Sequence, residues 1–209
     1  PPHLSPATLE MFRRLVPHLP RLLRPVIERA GSLPGAVARV MVAASPEAAA
    51  LVRTTLAVTT LSGSPAINVS PTSVQAGLNL RIAVGETAAA ATERVRRIVG
   101  RGITVDVEEA HEPSPVSPTD DPAFALLERT VSEVFPEAVP VPYVMYAATD
   151  ARHYTEICSR VYRFAPFRMD TGQRESLHSY DERLGVADFL DGIRWYRSLL
   201  DSLDGQAAT

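Results

Sequence analysis

Apolar residues recur at helical spacing over residues 8–30, at Leu9, Phe12, Val16, Leu19, Leu23, Val26 and Ile27. Pro17, Pro20 and Pro25 interrupt the run, so it predicts short, kinked helices rather than one rod. A second helical stretch, over about 35–53, is rich in Ala and breaks near Pro46. At Thr54 the period changes. Residues 54–61 are rich in Thr, Val and Leu and predict a strand, with a turn at Ser62-Gly63-Ser64-Pro65. Val74, Ala76, Leu78, Leu80, Ile82 and Val84 then alternate with Gln75, Gly77, Asn79, Arg81 and Ala83. This predicts a long half-buried strand with Gln75, Asn79 and Arg81 on its other face. Gly85-Glu86-Thr87 supplies a turn and a cap for a helix over 88–99, and Ile103, Val105 and Val107 mark another strand. Residues 54–109 therefore read β-β-α-β, one strand and one helix short of a ferredoxin-like unit.

Pro113, Pro115, Pro118 and Pro122 form a linker and predict a domain boundary near residue 112. Beyond it the pattern predicts a helix over 122–135, a strand over 139–146, a helix over 150–158 and a short strand over 160–165. A polar loop over 168–184 leads to a last helix over 186–203. Val186, Phe189, Leu190, Ile193, Tyr196, Leu200 and Leu203 form the apolar face of that helix. Strands alternating with helices in this half predict a layered α/β domain, so the expected class is α+β in the first half and α/β in the second.

Composition narrows the function classes. The 209 residues carry a net charge of −3 with no dominant basic patch, which gives no case for nucleic-acid binding. All 21 basic residues are Arg. No stretch of about 18 apolar residues predicts a membrane-spanning helix. The opening Pro1-Pro2-His3-Leu4 is not a signal peptide and lacks an initiator Met, so the expectation is a cytoplasmic chain cut from something longer. The single Cys158 excludes an internal disulfide framework and is expected to be a buried thiol.

Motifs with a self-sufficient mechanism are absent: there is no Gly-rich phosphate loop, no CxxC and no HExxH. Of the five histidines, His178 stands out by context. It sits at the end of the polar loop in Leu177-His178-Ser179-Tyr180-Asp181-Glu182-Arg183, where a nearby carboxylate can orient its ring. A zinc site takes about four ligands, so one His makes none, and a His at the start of a helix explains the pattern equally well.

Three stretches, in order, resemble the zinc aminoacylase and carboxypeptidase family, and within it the branch of carboxypeptidase S and the N-fatty-acyl-amino-acid synthase/hydrolase. Asn68-Val69-Ser70-Pro71-Thr72 followed by Asn79-Leu80-Arg81-Ile82 resembles that family's N-V-I-P … N-F-R-I hairpin, with Ser70 for Ile. Ala148-Thr149-Asp150-Ala151-Arg152 is similar to G-T-D-x-R, with Ala148 for Gly. Tyr162-Arg163-Phe164-Ala165-Pro166 followed by His178-Ser179-Tyr180-Asp181-Glu182 resembles Y-R-F-x-P … H-x-x-(D/N)-E. Pro17-His18-Leu19-Pro20 through Leu23-Arg24-Pro25 resembles a helical insertion of this branch.

The resemblance implies a catalytic domain interrupted by a lid, or dimerisation, domain. Residues 1–111 then correspond to a partial, ferredoxin-like lid with a helical insertion, and residues 112–209 to the C-terminal part of an α/β catalytic domain. It implies two zinc ions in the parent protein, with His178 as a metal ligand. It implies Arg81 as the group that binds the substrate carboxylate, which suits its planar fork, although a surface salt bridge is the plain alternative. Asn68 is implied to touch substrate across a homodimer, or else simply stabilises a turn. Thr149, Asp150 and Arg152 are implied to line the floor of the site and position substrate.

The implied substrate is a peptide or N-acyl amino acid with a free carboxylate, and the implied reaction is metal-assisted amide hydrolysis. The family's H-x-D motif, bridging Asp and Glu-Glu pair are absent here. No catalytic base is expected in this chain, which alone is expected to be inactive. Glu108-Glu109 lies in the wrong place for the Glu pair and reads as solvated charge. The alternatives are a non-catalytic dimerisation or ligand-binding module derived from the family, and an unrelated α+β ligand-binding protein.

Overall fold

The computed structural model describes residues 2–22, 24–145, 147 and 149–207. Leu23, Tyr146 and Ala148, which the sequence pattern uses, lie outside the described residues. The chain forms two compact units, one comprising residues 1–116 with 143–149 and the other 117–142 with 150–209.

The first unit opens with a helical cluster. α1 (Pro6–Leu15) starts where Ser5 accepts a hydrogen bond from the Thr8 backbone and Pro6 occupies the first turn. It runs into a 3₁₀ turn at Val16–His18, where Pro17 ends the helical ladder. α2 (Arg24–Glu28), a second 3₁₀ turn (Arg29–Gly31), α3 (Pro34–Ala44) and α4 (Pro46–Ala50) follow. Pro34 and Pro46 open α3 and α4, and Ser45 between them caps α4 through the Ala48 backbone. The buried centre is Leu4, Ala30, Ala38 and Val52, flanked by Leu9, Phe12, Val37 and Met41. Small Ala residues at the contacts let these short helices approach closely. This is the kinked helical stretch that the proline spacing predicts.

On the surface of α1, Arg13 grips Glu10 with two hydrogen bonds of 2.7 Å, and Arg14 adds one of 2.6 Å. These bonds, Arg13's first, hold the Glu10 carboxyl down to about 2. A depressed folded-state value stabilises the fold above the ordinary glutamate range and loses that contribution as pH falls towards about 2. Solvent screening keeps the contribution to about 0.5 kcal/mol. Glu10→Gln should therefore lower the thermal midpoint slightly at pH 7 and make no difference at pH 2, which thermal melts at the two pH values will read.

β1 (Thr55–Ser62) and β2 (Gln75–Arg81) form an antiparallel hairpin, the one sheet among the described residues. Thr55 faces Arg81, Leu56 faces Leu80 and Val58 faces Leu78; the register then skips Thr59, so that Thr60 faces Gly77 and Leu61 faces Ala76. The skipped residue is a β-bulge, and it brings Leu61 onto the face that already carries Leu56 and Val58. One face of the hairpin is thus apolar and the other carries Gln75, Asn79 and Arg81. α5 (Ala88–Val99) follows, capped by Thr87 and seated through Ala88, Ala91 and Val95.

In the second unit, α6 (Pro122–Val134) and α9 (Val186–Ala207) pack through Val131, Phe135 and Trp195, with Leu127, Val134 and Leu199 around them. α7 (Ala151–Tyr154) and α8 (Thr171–Glu175) are single turns. Extended chain at Ser117–Pro118 is tied to Val161–Tyr162: Ser117 Oγ donates to the Val161 carbonyl at 2.9 Å, and the Tyr162 hydroxyl donates to the Pro118 carbonyl at 2.7 Å.

Gly192 lies where α9 crosses the Pro166–Phe167 segment. A Cβ there would stand 2.4 Å from the Phe167 ring and 3.1 Å from the Pro166 carbonyl. In an open helix Gly→Ala gains about 1 kcal/mol. Here the overlap outweighs that gain, because overpacking costs about 1–3 kcal/mol and the carbonyl cannot rotate away. Gly192→Ala should be destabilising by about 1 kcal/mol in urea titration.

Several expectations change. The α+β character holds, but the layered α/β half does not form among the described residues. Residues 103–107, the described part of 139–146, and 160–165 belong to no strand and no ladder. A strand needs a neighbour to pair its backbone groups, and alternation in the sequence does not supply one. The helix expected over 150–158 is only one turn, and the polar loop over 168–184 contains α8. Cys158 is exposed rather than buried.

Candidate functional site

The residues singled out by sequence fall in both units. Within the first, Arg81 is the last residue of β2, on the polar face of the hairpin, exposed and opposite Thr55. The chain just beyond it is clamped. The Ala83 backbone donates to Thr54 Oγ1 at 2.9 Å, and Thr54 Oγ1 donates to Glu86 at 2.5 Å. Arg94 pairs with the same carboxylate at 2.5 Å. Burial opposes ionisation of Glu86, but the hydrogen bonds from Arg94 and Thr54 prevail and hold its carboxyl below the ordinary range. His3 Nε2 lies 2.8 Å from the Val84 carbonyl, next to Gly85, whose φ of 89° turns the chain into α5. The end of β2 is therefore fixed by side chains from four separate segments, and Arg81 projects from a held backbone.

Asn68 lies in the loop between the two strands and is exposed. The loop is organised by Ser64, whose hydroxyl donates to the Ala66 carbonyl at 2.7 Å and also contacts the Val69 carbonyl. The Val69 backbone in turn donates to Ala66 at 3.2 Å. β2 runs from Gln75 at the loop end to Arg81 at the open end, a rise of about 20 Å. The hairpin thus holds Asn68 and Arg81 at opposite ends instead of bringing them together. Thr149, also of this unit, is partly buried.

Within the second unit, Asp150 stands at the N-terminal boundary of α7 without a side-chain cap bond. Arg152 is exposed, and its Nε donates to His153 Nε2 at 3.2 Å. His178 is exposed as well, just past α8. Asp170 and Gln173 form a reciprocal capping box that starts α8, and the Ser179 backbone donates to the Ser176 carbonyl at 3.0 Å to close the turn around His178.

His178 has φ of 60° and Asp181 φ of 58°, the two non-glycine residues with positive φ among the described residues. Left-handed backbone at a residue with a side chain costs of the order of 1 kcal/mol, and such residues gather at functional sites. Glu182 offsets part of that cost: its carboxylate accepts the His178 backbone N–H at 3.1 Å. The carboxylate therefore holds the backbone, leaving the imidazole to project outward. Sequence reading picked out His178 but not the backbone role of Glu182 or the matching conformation of Asp181. The only signal was the tolerance of His and Asp for left-handed backbone.

Among the described residues no group of three or more His, Cys, Asp and Glu is placed to hold a metal ion. The residues present therefore do not by themselves fit a zinc centre: His178 is a single donor, short of the roughly four that zinc takes. What the second unit does hold rigidly is an ion network. Arg168 donates to Glu137 at 2.8 Å and to Asp191 at 2.5 Å, and its guanidinium lies 4.6 Å from the centre of the Phe135 ring. Arg194 reaches the other Asp191 oxygen at 2.5 Å. Arg168 above all, and then Arg194, keep the Asp191 carboxyl below the ordinary range against the opposing effect of burial.

Comparison with known proteins gives these residues a context. A model of peptidase family M20/M25/M40 matches residues 23–202. The chain is 31% identical over 161 residues to a Dictyostelium discoideum protein described as "Probable carboxypeptidase S-like 2", covering 76% of this chain and 31% of that protein. It is 33% identical over 164 residues to N-fatty-acyl-amino acid synthase/hydrolase PM20D1 of Mus musculus, covering 77% of this chain and 33% of the relative. It is 30% identical over 155 residues to Aminoacylase-1 of Pongo abelii, covering 72% of this chain and 37% of the relative. The chain thus spans about a third of the length of the curated relatives it matches. No solved structure matches it. No described helix is long and apolar enough to cross a membrane. The family match runs through both units and includes Asn68, Arg81, Thr149, Asp150, Arg152 and His178, and the chain belongs to peptidase family M20/M25/M40.

Proposed function

We propose that the chain is part of a zinc-dependent hydrolase that cleaves the amide bond of a peptide or N-acyl amino acid bearing a free carboxylate. The observation that carries this reading is the family match over residues 23–202, with relatives described as carboxypeptidase S-like, aminoacylase and N-fatty-acyl-amino acid hydrolase proteins. In this reading residues 1–111 belong to a lid that pairs in a homodimer, and residues 112–209 to the catalytic domain. His178 is one metal ligand, presented by a backbone held in the left-handed region by Glu182. The remaining ligands, for two zinc ions, and the general base come from protein outside this sequence. Arg81, on its clamped strand end, receives the substrate carboxylate as a fork of two N–H donors. Asn68 lies at the other end of the hairpin, so in this reading it serves the site of the partner subunit. Thr149, Asp150 and Arg152 position the substrate.

A second reading, a non-catalytic dimerisation or ligand-binding module of the same family, is favoured by the lack of any group of three or more potential metal ligands among the described residues. Metal analysis separates the two. The 209-residue chain alone should retain no zinc after gel filtration, and the complete gene product should retain about two ions per chain and hydrolyse N-acyl amino acids. A complete product that binds no zinc and hydrolyses nothing overturns the first reading in favour of the second.

A further inference from the structure

The backbone ladder of the hairpin ends at the pair Thr55–Arg81, so Arg81 sits where a two-stranded sheet frays first. The next step is closed by a side chain instead. Thr54 Oγ1 accepts the Ala83 backbone N–H at 2.9 Å and donates its own proton to Glu86 Oε2 at 2.5 Å. Both capacities of one hydroxyl are used, and donation to the carboxylate turns a lone pair towards Ala83. Glu86 is in turn gripped from α5. Arg94 Nη1 lies 2.5 Å from Oε1 and Arg94 Nη2 donates to Oε2 at 3.0 Å, a two-point fork on a carboxylate side chain only 16% exposed. Both anchors of this relay lie in packed parts of the first unit. α5 is seated through Ala88, Ala91 and Val95. Thr54 closely follows Val52, which is 1% exposed in the helical core. The hairpin itself supplies no such anchor, since Leu56, Val58 and Leu61 of β1 are open to water.

We propose that Thr54 and Glu86 are positioning residues for Arg81, holding the end of β2 so that the guanidinium meets the substrate carboxylate in register. This rests on the reading above, in which Arg81 receives that carboxylate. Neither residue touches substrate; they act through the backbone N–H of Ala83, just beyond Arg81. A fork on a carboxylate needs two N–H donors placed together, and displacing a binding group by about 1 Å can cost about 100-fold in rate. A purely structural role is the competing explanation, and it predicts something different. Loss of stability removes active protein and lowers turnover of every substrate alike. Loss of position affects only substrates that carry the carboxylate.

The test measures kcat and KM of the complete gene product on an N-acyl amino acid and on the matching N-acyl amino acid amide, which lacks the charge. Thr54→Val removes the hydroxyl and keeps the shape, Thr54→Ser keeps the hydroxyl, and Arg81→Met sets the limit for a lost guanidinium. The ratio of kcat/KM for acid over amide should fall about 10-fold in Thr54→Val, the scale of one lost hydrogen bond, through a raised KM for the acid. Thr54→Ser should restore the ratio. Glu86→Gln keeps an acceptor for the hydroxyl but loses the charged fork, and should lower the ratio less than Thr54→Val does. An unchanged ratio in Thr54→Val, or equal losses on acid and amide, overturns the proposal. Hydrogen exchange at the Ala83 amide of the 209-residue chain reads the clamp without any activity. It should quicken about 10-fold in Thr54→Val and stay near the parent in Thr54→Ser; unchanged exchange in Thr54→Val also overturns the proposal. A ratio that collapses in Arg81→Met but not in Thr54→Val sinks the positioning role and leaves the functional reading standing. A ratio that survives Arg81→Met, or a complete product that hydrolyses neither substrate, sinks the assignment of Arg81 and this role with it.

Discussion

Replacing His178 with Asn in the complete protein should reduce amide hydrolysis by more than about 100-fold, because losing a first ligand exceeds the 10–100-fold cost of losing a group that merely orients one. Asn is the informative choice. It tolerates left-handed backbone nearly as well as Gly does, so the φ of 60° at this position remains accessible and Glu182 retains its bond to the backbone N–H. The thermal midpoint of the metal-free variant should therefore stay within about 2 °C of the metal-free parent, while zinc content and activity fall. Glu182→Gln makes the contrasting case. It keeps an oxygen acceptor for the His178 backbone but removes the charge, and it should lower activity by about 10-fold or less with the zinc retained. If His178→Asn leaves zinc content and turnover unchanged, His178 is a loop residue that happens to be left-handed, and its assignment as a ligand fails.

The second large effect concerns the fold. Trp195→Ala should destabilise the second unit by about 3–5 kcal/mol, the cost of emptying a large aromatic from a packed core. Trp195 is 2% exposed, lies against the Phe164 ring at 4.8 Å between centroids, and shares its cluster with Val131 and Phe135. Its indole N–H is buried without a hydrogen-bond partner, the one such side-chain atom among the described residues. An orphaned donor costs about 1–3 kcal/mol, which Trp195→Phe would recover while giving up part of the ring. Trp195→Phe is therefore expected within about 1 kcal/mol of the parent, far from Trp195→Ala. Urea titration followed by far-UV circular dichroism measures both. Similar losses for the two variants would mean that the N–H finds a partner in solution and carries real stabilisation.

The apolar face of the β1–β2 hairpin is open to water: Leu56, Val58 and Leu61 on β1 are 49%, 63% and 74% exposed. An isolated two-stranded hairpin is marginal in water, so little of its stability comes from this face.

Much of the secondary structure was legible because its causes are local. α5, α6 and α9 follow from local apolar spacing, with a cap at Thr87 before α5. Pro17 and Pro46 mark where helices of the first unit stop or start, since a missing N–H acts on its own turn whatever the surroundings. The hairpin was legible too, because the alternation over 74–84 pairs with a Thr- and Val-rich run one loop away. The motifs around Asn68, Arg81, Thr149 and His178 were enough to point to the family, because a motif is recognised by residue order and needs no coordinates.

What the sequence by itself determined, then, is the longer helices, the hairpin and the family. What only the tertiary structure decided depends on partners remote in the chain. The strands expected over 103–107 and 160–165 form no ladder, because a ladder is a property of two segments and their bonds to Arg96 and Ser117 run through side chains. The bulge at Thr59, which carries Leu61 onto the apolar face, is set by register against Gly77 and Ala76. Cys158 faces solvent even though its residue type favours burial. His178 is held at positive φ by a carboxylate four residues later, a conformation that apolar periodicity does not encode. For the strands and the bulge the deciding energy comes from a contact between segments, about which the spacing of residues along one segment carries no information; at His178 it comes from a local bond that apolar spacing does not encode.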